Sequence, residues 1–159
     1  MSTPRFAVPI NERYFEDYVA GPTYEYGPIS VSEAEIIDFG RKFDPQYIHT
    51  DPEKAALGPF GGLIASGWHT ASLMMRLYAD NYISSVAAIA SPGVDELRWI
   101  KPVRPGDALS IRVSVIGSRR SQSKPHLGLV HVLVEVANQN KETVMSVKTM
   151  NLLRCRPSC

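Results

Sequence analysis

An aspartate and a histidine stand five residues apart in Phe43-Asp44-Pro45-Gln46-Tyr47-Ile48-His49-Thr50-Asp51-Pro52, a segment dense in turn formers. A carboxylate and an imidazole that reach one water can share its protons, one group accepting while the other donates. Further along, Leu63-Ile64-Ala65-Ser66-Gly67-Trp68-His69-Thr70 puts Gly67 at the expected start of a helix. The first N–H groups of a helix lack intrahelical partners and sit at the positive end of its dipole. The Gly67 amide is therefore a candidate for stabilising a developing oxyanion. Acid, base and helix N-terminus are together the parts needed to add water across a polarised double bond, or to remove it. Sequence leaves open whether Asp44 or His49 is the base, and their titrations would be coupled.

Other chemistries find less support. His49, Asp51 and His69 make no helical i, i+4 histidine pair and no carboxylate triad, so no metal site is expected. Gly61-Gly62 lacks the Gly-Lys-Ser/Thr and preceding strand of a phosphate loop. Ser66 and Ser72 have no nucleophile-elbow context, and Ser66 is expected as a helix cap. His69 is expected on a helix face near the pocket or a dimer seam. His126 and His131 read as loop and strand surface residues.

The chain of 159 residues fits one domain, and a charged fraction of 21% with a net charge of +1 gives no basic field for nucleic acid. Arg119, Arg120 and Lys124 read as a solvated loop. Two cysteines, Cys155 and Cys159, imply no disulfide framework and are expected as frayed tail thiols in a reducing compartment. Met1 to Ile10 lacks the apolar run of a signal peptide, and no stretch approaches a membrane span; a cytoplasmic location is expected.

Positioning elements follow from the pattern. Residues 1–20 form an extended arm, with a short strand near 22–26. A helix capped by Ser30 or Ser32, with Ile36, Ile37 and Phe39 on its apolar side, should stop at Asp44, since a residue before proline avoids the helical region. A helical turn at 52–57 precedes the glycine-rich loop Gly58-Pro59-Phe60-Gly61-Gly62. The strongest helix is 64–82, where Ile64, Trp68, Ala71, Met75, Tyr78 and Tyr82 keep a 3.6-residue period, and apolar residues on most sides predict burial. Met74, Met75 and Tyr78 line an acyl tunnel or pack the core. Alternating strands follow around 94–101, 108–116, 129–136 and 143–153, with a longer loop from Gly117 to Pro125, and a flexible tail closes the chain over 154–159. An α+β domain over residues 1–159 results, a long central helix wrapped by a curved antiparallel sheet.

Asp44-Pro45-Gln46-Tyr47-Ile48-His49, Phe60-Gly61-Gly62-Leu63-Ile64-Ala65-Ser66-Gly67-Trp68-His69-Thr70 and Trp99-Ile100-Lys101-Pro102-Val103-Arg104-Pro105-Gly106-Asp107 together resemble the MaoC-like dehydratase family, which includes the (R)-specific enoyl-CoA hydratases. The resemblance covers most of residues 20–153. It departs from the usual Asp-x-Asn-Pro-aliphatic-His at Pro45, Gln46 and Tyr47, and Phe43 replaces the glycine often found before the acid. The resemblance implies a hot-dog fold, a homodimer or dimer of dimers, and an acyl-CoA thioester substrate with no cofactor; coenzyme A enters as part of the substrate. It assigns Asp44 and His49 to the catalytic dyad and Gly67 to the oxyanion amide. Gly62, Ser66 and Trp68 beside them, with Lys101 and Arg104 either meeting coenzyme A phosphates or standing as solvated turn charges, complete the expected substrate-binding set. The implied activity is reversible hydration of a trans-2-enoyl-CoA to a (3R)-3-hydroxyacyl-CoA. A hot-dog thioesterase and a non-catalytic acyl-binding domain are the alternatives.

Overall fold

Three long strands with apolar residues at every second position form the body of the molecule: β4 (Ala108–Arg120), β5 (Leu127–Ala137) and β6 (Thr143–Arg154). The computed structural model describes residues 4–158. Flanking these strands are β1 (Thr23–Ser30), β2 (Ala88–Ala90) and β3 (Val94–Trp99). The antiparallel order is β1-β4-β5-β6-β2, with β3 also paired to β6. Because side chains alternate across a strand, Leu109, Ile111 and Val113 of β4 and Val130, Val132, Val134 and Val136 of β5 all reach one face, and each is fully buried. Burying one such valine is worth about 1.5–3 kcal/mol, so this continuous aliphatic face is what the helices must cover.

The cover is α4 (Gly67–Asn81), which lies across β1 and β4. The curled sheet around one long helix is a hot-dog fold. Against expectation, α4 begins at Gly67 rather than at residue 64, because residues 63–66 are extended and hydrogen-bond elsewhere. Nor is it buried on most sides. His69, Thr70, Leu77 and Tyr78 face the core, while Trp68 and Met75 are exposed at 57% and 49%. Ile64, Tyr78 and Tyr82 of the expected stripe are buried, and Trp68 and Met75 are the members that depart from it. Tyr78 packs in the core, and its hydroxyl accepts from Asn151 Nδ2 at 2.9 Å.

α1 (Glu33–Phe43) starts with a reciprocal cap. The Glu35 N–H donates to Ser32 Oγ at 3.2 Å, and the Ser32 N–H donates to Glu35 Oε2 at 2.8 Å. It ends as expected at Asp44. Two short helices follow, α2 (Tyr47–Thr50), which the turn-rich composition concealed, and α3 (Pro52–Ala56).

Other strands also exceed their sequence signal. β1 continues to Ser30 through an irregularity between Tyr26 and Ile29, where Pro28 has no N–H to give to the ladder. β4 runs on to Arg120, so the expected long loop shrinks to 121–126. β3 is exposed along most of its length, with only Leu97 half-buried.

The N-terminal arm includes a 3-10 turn at Phe15–Asp17 and is bolted to the end of α4. The buried Arg13 guanidinium donates to the carbonyls of Val8 (2.7 Å), Asn81 (2.7 Å) and Tyr82 (2.8 Å), and lies 3.9 Å from the Phe6 ring centre. A cation at the negative end of a helix is favoured there. The other end of the chain is tied down too. Cys155 N–H donates to the His126 carbonyl at 2.8 Å, and Arg156 pairs with Asp17 at 2.6 Å. Cys159 lies outside the described residues. Among the described residues, no helix is long and apolar enough to cross a membrane.

Candidate active site

α1 and α2 are arranged so that the aspartate ending one meets the histidine inside the other. Asp44 is the C-cap of α1, its N–H donating to the Gly40 carbonyl at 2.9 Å. His49 lies on the single turn of α2, which Gly40 lets sit close. A Cβ on Gly40 would come within 3.0 Å of His49 Cβ, tighter than packed side chains tolerate without movement. The result is a His49 Nε2 to Asp44 Oδ2 distance of 3.3 Å.

A second bond fixes the imidazole. His49 Nδ1 lies 2.7 Å from the Ile64 carbonyl oxygen. A carbonyl can only accept, so Nδ1 carries a proton, and in the ring's neutral form Nε2 is bare toward Asp44. The Ile64 N–H in turn donates to the Ile48 carbonyl at 3.0 Å. Both backbone groups of Ile64 thus clamp α2 to the segment that leads into α4.

Asp44 has its own donors. Gln46 Nε2 donates to Oδ1 at 2.7 Å, and Ser66 Oγ donates to Oδ2 at 2.7 Å. Partial burial pushes the carboxyl pKa up, but the Gln46 and Ser66 hydrogen bonds and the His49 ring outweigh it. The net effect holds the group below the ordinary carboxylate range, so it is ionised near neutrality. Ser66 occupies the N-cap position of α4 as expected, yet its hydroxyl serves Asp44 and makes no cap bond. The first amides of α4 are left without the side-chain acceptor that a serine there usually supplies.

Gly67 is a glycine for a reason the sequence did not show. A Cβ at this position would lie 2.3 Å from Trp99 Cε2, because the indole of Trp99 rests on the Gly67 backbone and its Nε1–H donates to the Gly67 carbonyl at 2.9 Å. Trp68 leans edge-on against the same indole at 5.1 Å.

These groups border a cleft of about 280 Å³ lined by His49, Gly67, Thr70, Trp99 and Lys101 among others. Among the expected substrate-binding residues, Lys101 reaches the cleft and is paired with Glu142. Gly62, Ser66, Trp68 and Arg104 do not line it. Arg104 instead donates to the Phe60 carbonyl across the glycine-rich loop. Asp44 also stands off the lining and touches the cleft residues through His49. Met74, Met75 and Tyr78 are not on its walls. His69 lies flat on Phe39 (ring centres 4.7 Å apart, 6° between planes), buried with Nδ1 unpartnered among the described residues. Burial lowers its pKa against the opposing pull of Glu35. Among the described residues, no group of three His, Cys, Asp or Glu could hold a metal ion.

Sequence reasoning passed over Trp99, Thr70 and the Ile64 carbonyl. Gln46 was visible only as a departure from the family pattern, yet it is a direct partner of the acid.

Comparison with known proteins now decides the family. A model of the MaoC-like domain matches residues 17–139. The chain belongs to the MaoC-like domain family. An uncharacterised protein of Bacillus subtilis, YdeM, is 31% identical over 139 residues, covering 87% of this chain and 97% of that protein. A Mycobacterium tuberculosis protein named 3-hydroxyacyl-thioester dehydratase Z is 34% identical over 99 residues, covering 62% of this chain and 66% of its own length. The crystal structure of a MaoC-like dehydratase from Rhodospirillum rubrum superposes with a TM-score of 0.85 at 34% identity, covering 92% of this chain and 99% of that one. Family membership makes this MaoC-like chain one of a group of hydratases and dehydratases.

Two measurements test the geometry of this MaoC-like site. Ser66→Ala removes a donor to the ionised carboxylate, so the Asp44 pKa rises toward the ordinary value, read from its 13C carboxyl shift against pH; an unmoved midpoint contradicts the bond. Linkage has the same sign. Stability from ionised Asp44 is present above its unfolded pKa and lost as pH falls through the lowered folded one, so the variant forfeits part of it at neutral pH. Gly67→Ala should cost about 1–3 kcal/mol by overpacking, but less than about 0.5 kcal/mol on a Trp99→Ala background, as for an unconstrained surface change. Equal costs in both backgrounds, measured by urea unfolding, would show that Trp99 does not constrain the glycine.

Proposed function

We propose that the protein hydrates trans-2-enoyl-CoA thioesters reversibly to (3R)-3-hydroxyacyl-CoA. The observation that carries this reading is the His49–Asp44 contact of 3.3 Å at a cleft whose wall includes the start of α4. A single water can hydrogen-bond to Nε2 and to Oδ2 at once, since both acceptors lie within one water's reach. In the hydration direction His49 is the base. Its Nε2 takes a proton from the water as oxygen attacks C3, while ionised Asp44 steadies the imidazolium that forms. The Nε2 proton then passes to C2. One group serving both transfers from one side of the double bond yields one stereoisomer. In dehydration the same atoms move in reverse.

Charge develops on the thioester oxygen as C3 is attacked. The Gly67 amide, at the uncapped start of α4, is the donor that meets it. A donor of this kind is worth about 2.7–4 kcal/mol in a transition state. Lys101 at the cleft rim is the cation best placed to meet a coenzyme A phosphate, exchanging its Glu142 partner for the ligand.

The family resemblance extends the proposal to a pair of chains. β3 has a free outer edge among the described strands and ends at the half-exposed Trp99 beside the cleft. A second copy adding along that edge would satisfy its backbone groups.

With crotonyl-CoA, loss of enoyl absorbance without release of free thiol is expected. Asp44→Asn and His49→Ala should each lower kcat by at least about a hundredfold with the fold intact by circular dichroism. Thiol release would instead make the protein a thioesterase, and near-normal rates in both variants would remove the dyad. Light scattering should return at least twice the mass of the 17.6 kDa chain; a monomer would reject the paired assembly.

A further inference from the structure

The same cleft also bears on which acyl group it takes. Its exposed rim is aromatic and aliphatic, with Phe60, Trp99 and Ile100 at 40–53% exposure. Its floor is Ile64, Ala65, Thr70, Val103 and Val144, each no more than 7% exposed. Exposure falling from rim to floor gives the cleft a direction, with coenzyme A outside and the acyl end inside.

Three features limit what fits. The volume, about 280 Å³, lies just under the roughly 300–1,000 Å³ range of ligand pockets. The walls are stitched by backbone bonds: at the floor the Ala65 N–H donates to the Val103 carbonyl at 2.9 Å, and the rim Ile100 N–H donates to the Val144 carbonyl at 2.8 Å. The cleft therefore lengthens only by trimming side chains, since parting its walls would break main-chain hydrogen bonds inside a buried region. Finally, no lysine or arginine reaches the floor. Lys101 is at the half-exposed rim and paired with Glu142, and His49 is engaged with Asp44 and Ile64. Apart from His49, Thr70 supplies the floor's one polar side chain. A carboxylate pushed to this depth would be buried without a counter-charge.

Resting on the hydratase reading, we infer that the cleft selects a short, uncharged acyl chain and that Val144 and Val103 set its length limit. Dicarboxylic acyl thioesters are excluded by the absence of lysine and arginine at the floor, and long chains by the two valines.

The test compares crotonyl-, 2-octenoyl- and mesaconyl-CoA as substrates, and in parallel butyryl-, octanoyl- and succinyl-CoA as non-reacting ligands by calorimetry. Crotonyl-CoA should exceed 2-octenoyl-CoA in kcat/KM by at least about tenfold and mesaconyl-CoA by about a hundredfold, with the same ranking in binding. Val144→Ala, or Val103→Ala if the first does not fold, should raise the octenoyl-to-crotonyl ratio by about tenfold without rescuing mesaconyl-CoA. Equal or better use of the long or the charged chain, an unmoved ratio in the variant that folds, or no binding of butyryl-CoA overturns the inference. Selective binding without turnover of any thioester would sustain it while removing the hydratase reading.

Discussion

The hydrogen bond from His49 Nδ1 to the Ile64 carbonyl is the constraint on which the site depends. It fixes the tautomer, the ring plane and the position of α2 in one contact of 2.7 Å. Its companion, Ile64 N–H to the Ile48 carbonyl, ties the same segments together. Without this clamp α2 is a single turn of four residues, far too short to hold a side chain by its own helical stability. With it, the residues after Ile64 are set at a fixed distance from the imidazole, and Ser66 and the start of α4 arrive where Asp44 needs them.

From there the site is a chain of mutual dependence. Ser66 gives its hydroxyl to the acid and so leaves the helix uncapped, and the uncapped amides are what an oxyanion would use. Trp99 covers Gly67 and joins the edge strand β3 to the helix start through Nε1. The sheet supplies the rigidity behind all this. Its three long strands bury a continuous aliphatic face, and Arg13 anchors the opposite end of α4 through main-chain carbonyls. The helix is thus held at its C-terminal end by the arm and at its N-terminal end by the indole and the Ile64 segment. The candidate site sits on short, clamped pieces of chain, while stability resides in the sheet.

Much of this was legible beforehand. Alternation in β4, β5 and β6 is a local property of sequence, and so is the cap at Ser32 with Glu35. The Asp44–His49 spacing was legible because proline at 45 stops α1 at the acid. Other features depend on contacts between distant residues. Trp99 and Gly67 are 32 positions apart, and no local pattern says that an indole will occupy the space of a side chain. Trp68 and Met75 were misassigned to the interior because aromatic and apolar residues at helical spacing usually mark a buried face, whereas here both side chains are exposed. β2 has only three residues and exists through its pairing with β6 rather than through any periodicity.

The tautomer of His49 is the most direct test of the central claim. Long-range 1H–15N correlation of the imidazole in the neutral protein should show the proton on Nδ1 and a bare, pyridine-like Nε2. A neutral ring protonated on Nε2 would mean that the Ile64 carbonyl does not hold the imidazole, that the nitrogen beside Asp44 is no base, and that the proposed route for the water's proton is closed.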